Sequence, residues 1–161
     1  MIETRTATSA DERALADLDR ATWSSLTSPA PKPEAPDWRF FSEKVDIRDV
    51  IVALVEGDVA GYVRLGRATP LAASDHVLMI HGLAVDPARR RQGVGRALID
   101  AAEAEARGRG AQRLTLRVLA HNEAARRLYD SAGFVVEGTL RGEFFLDGAY
   151  VDDLFMALDL S

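Results

Sequence analysis

Arg89, Arg90, Arg91 and Arg96 crowd around Gly93 and Gly95 in the run Val85-Asp86-Pro87-Ala88-Arg89-Arg90-Arg91-Gln92-Gly93-Val94-Gly95-Arg96-Ala97-Leu98. An apolar strand pattern stops at Asp86-Pro87 and a helical pattern starts directly after the glycines. Unpaired backbone N–H groups and the positive end of a helix dipole therefore converge at one place. Such a junction takes anions by construction. Glycines without Cβ atoms let a phosphate approach the backbone, and guanidinium forks add charge. The other reading is a solvated, arginine-rich turn whose glycines serve backbone geometry alone. Two common phosphate loops are excluded. A Walker loop needs Gly-Lys-Ser/Thr, yet no lysine follows Lys44, and a dinucleotide fingerprint needs a third glycine where Leu98 stands.

The elements that must hold this junction are legible from periodicity. Ile2 to Thr8 alternates like a first strand, and Ser9-Ala10-Asp11-Glu12 precedes a helix carrying Leu15 and Leu18. Trp23 to Phe41 loses all periodicity and holds Pro29, Pro31, Pro33 and Pro36 between aromatic ends, which predicts a Pro-rich surface loop. Its Pro-x-x-P is too short a motif to define a binding module. Asp49 to Glu56 and Val59 to Arg67 read as antiparallel strands joined at Gly57-Asp58, a pair suited to positive φ. His76 to Val85 is a further strand, ended by the proline. Gly93 to Arg107 carries one apolar stripe and reads as a helix, and Arg113 to Leu119 as a strand. Asn122 caps a helix that Gly133 stops, and Phe134 to Thr139 and Ala149 to Leu158 are the last strands. This alternation defines an α/β or α+β fold.

Composition narrows the function. The 161 residues make one ordinary domain, and 47% hydrophobic residues suffice for a core. The absence of cysteine removes disulfides, thiolate metal sites and a cysteine nucleophile. A net charge of −5 argues against a nucleic-acid partner. No apolar run approaches the roughly 20 residues of a membrane helix, so no membrane partner is expected and a cytoplasmic location is. Of the 20 basic residues only Lys32 and Lys44 are lysines, so the cationic chemistry is almost entirely guanidinium.

Arg90-Arg91-Gln92-Gly93-Val94-Gly95 resembles the coenzyme A loop of the GNAT superfamily of N-acetyltransferases, and Leu83-Ala84-Val85-Asp86-Pro87 resembles its approach to that loop. Downstream, Asn122, then Tyr129 seven residues on, then Gly133-Phe134 resembles the family's next signature. The resemblance implies a single N-acetyltransferase domain over residues 1–161. Its sheet would be mixed and mostly antiparallel, with about seven strands flanked by helices and a splay after the fourth. It implies acetyl-CoA as cosubstrate, no metal, direct transfer to a primary amine, and an arrangement that permits a homodimer. By position, Arg90, Arg91, Gln92, Gly93, Val94, Gly95 and Arg96 would hold the pyrophosphate. Leu83, Ala84 and Val85 would pair with the pantetheine arm, and Asn122 would hold its amides. Tyr129 would stand near the sulfur as the acid that protonates the thiolate. Taken without the family, Asn122 is an N-cap and Tyr129 a core residue. A non-catalytic acyl-CoA-binding module on the same fold is the alternative.

In this mechanism an amine with a pKa near 10.4 costs about 4 kcal/mol to present in neutral form at pH 7.4, so a base is needed. Many relatives carry a glutamate where this chain has Met79. His81, expected on one strand face with Leu83 and Val85, is the nearest titratable replacement. Glu143, Asp152 and Asp153 are its rivals, and one of the two adjacent aspartates is expected to face inward, Asp152 sharing strand parity with Leu154 and Met156. The stretch from Gly142 to Leu158 resembles the C-terminal hairpin of relatives that acetylate ribosomal proteins, polyamines or small amines. With the loop from Trp23 to Phe41, the hairpin near Glu143 to Tyr150 is the expected wall of the acceptor site.

Overall fold

Thr8 and Asp11 turn the chain from its first strand into its first helix. The Asp11 carboxylate accepts from Thr8 N at 2.8 Å and from both terminal nitrogens of Arg5 at 2.7 and 3.1 Å. The buried acid thus ties the entry of the helix to the strand before it, and the Arg5 guanidinium holds its carboxyl below the usual range. In the computed structural model, which describes residues 1–34 and 38–161, these elements are β1 (Ile2–Thr6) and α1 (Glu12–Thr22). There follow β2 (Val50–Val55), β3 (Asp58–Arg67), β4 (Val77–Val85), α2 (Val94–Gly108) and β5 (Arg113–Leu119). The last three are α3 (Glu123–Ser131), β6 (Val135–Leu146) and β7 (Ala149–Asp159). Pro36 and its neighbours at 35 and 37 lie outside the described residues.

The strands form one seven-stranded sheet in the order β1-β2-β3-β4-β5-β7-β6, antiparallel except between β4 and β5. The crossover through α2 is what makes that pair parallel. Two apolar layers cover the sheet. On one face, Val94, Leu98, Ile99 and Ala102 of α2 and Tyr129 of α3 pack on Leu65, Ile80, Leu114 and Leu116. On the other, Leu15 and Leu18 of α1 pack with Phe40 on Val50, Val52 and Tyr62. Leu15, Leu98 and Ile99 are fully excluded from solvent, and each such side chain contributes roughly 1.5–3 kcal/mol. Both helices are therefore fixed to the sheet as platforms.

Two expectations shift in detail. The β2–β3 turn is centred on Glu56 and Gly57, both at positive φ (54° and 83°), one residue earlier than Gly57-Asp58, because Asp58 already pairs with Val55. β6 runs to Leu146 rather than stopping near Thr139. An irregularity between Leu140 and Phe144 absorbs Gly142, at φ 59°, and the strand resumes beyond it. Among the described residues no helix is long and apolar enough to cross a membrane.

Candidate functional site

The parallel pair is short. β4 and β5 are in register only over Val77–Ile80 against Arg113–Leu116. Beyond that, β4 continues along β3 to Val85 and β5 continues along β7 to Leu119, so the two strands part. The parting begins at a bulge. Gly82 pairs with Arg64 and Ile80 with Leu65, which leaves His81 as the extra residue, and such an insertion sharpens the local twist. Among the described residues, the β5-facing edge of β4 from His81 to Val85 has no strand partner. Leu83, Ala84 and Val85, expected at a splay, stand on it.

The bulge also corrects the position of His81. Leu83 and Val85 pack with Ile80 on the α2–α3 side, whereas the His81 ring lies over Gly66, where an added Cβ would come within 2.8 Å of it. His81 is exposed, and its Nε2 is 3.0 Å from the Arg67 carbonyl. It does not share a face with Leu83 and Val85, because the inserted residue breaks the period of two.

After Val85 the Asp86 side chain accepts from Ala88 N, and the chain reaches α2 through Arg91 and Gly93, both left-handed at φ 63° and 85°. Gly93 is the N-cap and offers no side-chain cap, so among the described residues the first N–H groups of this 15-residue helix keep no side-chain partner. Arg90, Arg91 and Gln92 are exposed around that end, while Val94 is buried beneath it. Gly95 serves packing: an added Cβ would meet Leu128 Cδ2 of α3 at 3.0 Å. The guanidinium of Arg96 points elsewhere, to Asp100 at 3.0 Å and to the Ser131 carbonyl at 3.2 Å, tying α2 to the end of α3.

Asn122 is the N-cap of α3, its Oδ1 accepting from Ala125 N at 3.3 Å. Tyr129 is 7% exposed, 5.8 Å from Phe134 between ring centroids. Burial pushes its phenol up to about 12, with no hydrogen bond contributing.

The expected acids are all engaged. Asp153 is the inward one of the pair, 3% exposed, and accepts from Arg117 Nε at 2.5 Å. Glu143 takes Arg117 from the other side at 3.3 Å, and the guanidinium lies 5.1 Å from the Phe155 ring centroid. Asp152 accepts from Gly142 N at 2.8 Å and so pins the irregularity of β6. The two expected walls do meet. Ser25 donates to Asp147 at the hairpin tip, Ser25 O lies 3.0 Å from His121 Nε2, and Trp23 Nε1 donates to Ala30 O at 2.8 Å. Glu12 accepts from Phe40 N and Phe41 N, which seats Phe40 edge-on against Tyr62 with centroids 4.8 Å apart.

Sequence reasoning missed a pair beneath that roof. Tyr62 donates to Asp19 Oδ1 at 2.6 Å, and its hydroxyl is 3.5 Å from where a Cβ on Gly82 would be. Burial raises Asp19 above the ordinary carboxylate range, and burial together with Asp19 raises Tyr62 well above its own. The signal was available, since Asp19 falls four residues after Leu15 on the apolar stripe of α1, where a carboxylate is out of place. A polar groove of about 400 Å³ lies instead near the C-terminal end of α2. Its Asp46, Arg48, Asp49, Glu105 and Arg109 are paired with one another.

The chain belongs to the Acetyltransferase (GNAT) family, whose profile matches residues 13–134. It is 43% identical over 84 residues to the [Ribosomal protein bS18]-alanine N-acetyltransferase of Escherichia coli K12, a match covering 51% of this chain and 55% of that protein. The chain thus spans about half the length of the curated relatives it matches. A crystal structure from Streptococcus mutans UA159 superposes with a TM-score of 0.85 at 29% identity, over 100% of this chain and 99% of that one. A GNAT superfamily phosphinothricin acetyltransferase of Sinorhizobium meliloti, solved in complex with acetyl-CoA, superposes at 0.83 over 99% and 89% of the two chains. At 19% identity it is a likeness of fold.

Proposed function

We propose that this protein is an N-acetyltransferase, a single domain over residues 1–161, that moves an acetyl group from acetyl-CoA directly to a primary amine. The observation that carries the reading is the parting of β4 from β5 beside an uncapped helix N-terminus, with a buried phenol on the same side of the sheet. These residues fit the cosubstrate. The backbone from Arg91 to Arg96, at the positive end of α2, suits a pyrophosphate. The β4 edge at Leu83, Ala84 and Val85 can accept an extended pantetheine arm as an extra strand, and Asn122, its Oδ1 engaged as the cap of α3, keeps its amide nitrogen to offer the arm's amides.

Acetyl-CoA supplies an activated thioester. Backbone N–H groups on the parted β4 edge suit the oxyanion that forms on its carbonyl. Tyr129 remains protonated through the neutral range and can give its proton to the departing sulfur. Family membership supports an acyltransferase, and the identity to a ribosomal-protein alanine acetyltransferase supports an amine on a protein terminus or a compact analogue of one. The test is release of free CoA across amino acids, polyamines, aminoglycosides and peptides with free N-termini. One class is expected to turn over at least 100-fold faster than the others. Acetyl-CoA binding with no turnover on any of them would leave the non-catalytic acyl-CoA-binding module instead.

A further inference from the structure

The acids foreseen from sequence are each committed to a partner, His81 faces the Arg67 carbonyl, and one carboxylate near the parted strands is left with an oxygen to offer. Asp19 has Oδ1 taken by Tyr62, while among the described residues Oδ2 has no hydrogen-bond partner. The pair is placed by three elements. α1 presents Asp19 from its buried stripe, β3 supplies Tyr62, and Gly82 at the β4 bulge leaves room for the phenol. Tyr62 lies over Gly82 and pairs with Ala84, in the segment of β4 that has left β5, while Tyr129 packs on the opposite face of the sheet. Asp19 and Tyr129 therefore stand on opposite sides of one gap.

Resting on the acetyltransferase reading above, we infer that Asp19 is the catalytic base, receiving the proton of the acceptor's ammonium group, and that Tyr62 is the positioning residue that holds its carboxylate. The amine enters from the α1 side, under Phe40, and meets Asp19 Oδ2 first. One ammonium proton passes to Asp19 and on to solvent. The neutral nitrogen attacks the thioester carbonyl, the C–N bond forms and the C–S bond breaks. Tyr129 protonates the leaving sulfur, and the second proton shed by the nitrogen restores the phenol. The groups acting on Asp19 are Tyr62 and Arg64, both on β3. Burial raises the carboxyl and so makes it a better base, while the Tyr62 bond and the Arg64 charge act in the opposite direction.

The experiment is the pH profile of kcat and kcat/KM for the wild type, Asp19→Asn and Tyr62→Phe, with acetyl-CoA affinity and melting temperature measured alongside. Asp19→Asn is expected to lose about 100-fold in kcat with acetyl-CoA affinity within about threefold of wild type. Its activity should rise tenfold per pH unit, following the neutral amine, without the wild-type plateau. Tyr62→Phe removes a donor to the carboxylate, so its acidic limb should move to higher pH, which reads the same pairing even if the asparagine variant folds poorly. An Asp19→Asn enzyme within threefold of wild type, or a Tyr62→Phe limb that does not move, overturns the inference. A wild type that binds acetyl-CoA and acetylates no amine overturns the acetyltransferase reading itself.

Discussion

Tyr129, the acid of the proposed mechanism, is a single hydroxyl whose environment can be read. The Tyr129 ring is buried, but its hydroxyl makes no hydrogen bond among the described residues, so the oxygen adds little to stability. Tyr129→Phe is therefore expected to fold at least as stably as wild type at pH 7 and to bind acetyl-CoA with unchanged affinity. Its kcat should fall by 10²-fold or more, because the sulfur would leave as a thiolate. The pH dependence follows from the same burial. The phenol ionises near 10 in the unfolded chain and at about 12 in the folded one, so this group's contribution is intact below pH 10 and stability falls as pH rises from 10 to 12. That gap corresponds to roughly 3 kcal/mol. Urea titrations of wild type and Tyr129→Phe at pH 7 and pH 11 measure it. The variant should lose less on going to pH 11, and equal losses would contradict the burial argument.

At the scale of elements, the loop before α2 and the contact of α2 with α3 give the two glycines separate duties. Gly93 needs its positive φ, so Gly93→Ala should cost about 1–2 kcal/mol of stability through strain. Gly95 has no such need. Gly95→Ala would push Leu128 back by a few tenths of an ångström and shift the start of α2 against α3. We expect it to weaken acetyl-CoA binding several-fold with a melting change of only a few degrees, whereas Gly93→Ala should lower both. Calorimetry with and without acetyl-CoA separates the two. The loop's motif was legible because backbone geometry dictates residue type there, and β5 was legible residue for residue because both of its faces follow a period of two. The face of His81 was not, since Gly82 inside the strand run could signal a bulge but only the pairing with β3 shows which residue is inserted. The pairing of Glu143 and Asp153 with Arg117 was likewise hidden, because it depends on β5, β6 and β7 meeting across distant positions. Asp19 was legible in part: its place on an apolar stripe was visible, its neighbour Tyr62 was not.

Taken as a whole, the molecule is two sheet portions joined by a four-residue parallel ladder, β1 to β4 on one side and β5 to β7 on the other. α2 packs over both portions and the loop after α1 reaches the hairpin tip, so a ligand lying between β4 and β5 touches parts that otherwise meet through few strand bonds. Binding to the folded state alone stabilises it by about 2.7 kcal/mol at a ligand concentration of 100 times Kd. For a chain of this size that is a melting shift of about 5–10 °C. Acetyl-CoA and CoA should both produce it, because most of the contact is with the pyrophosphate and pantetheine, and salt should weaken it through the Arg89–Arg91 cluster. ATP and NAD offer a pyrophosphate without the arm that pairs with Leu83 to Val85, so they should give at most a small fraction of the shift. Equal stabilisation by ATP would reduce the site to a phosphate-binding helix start and remove the role assigned to the parted strands.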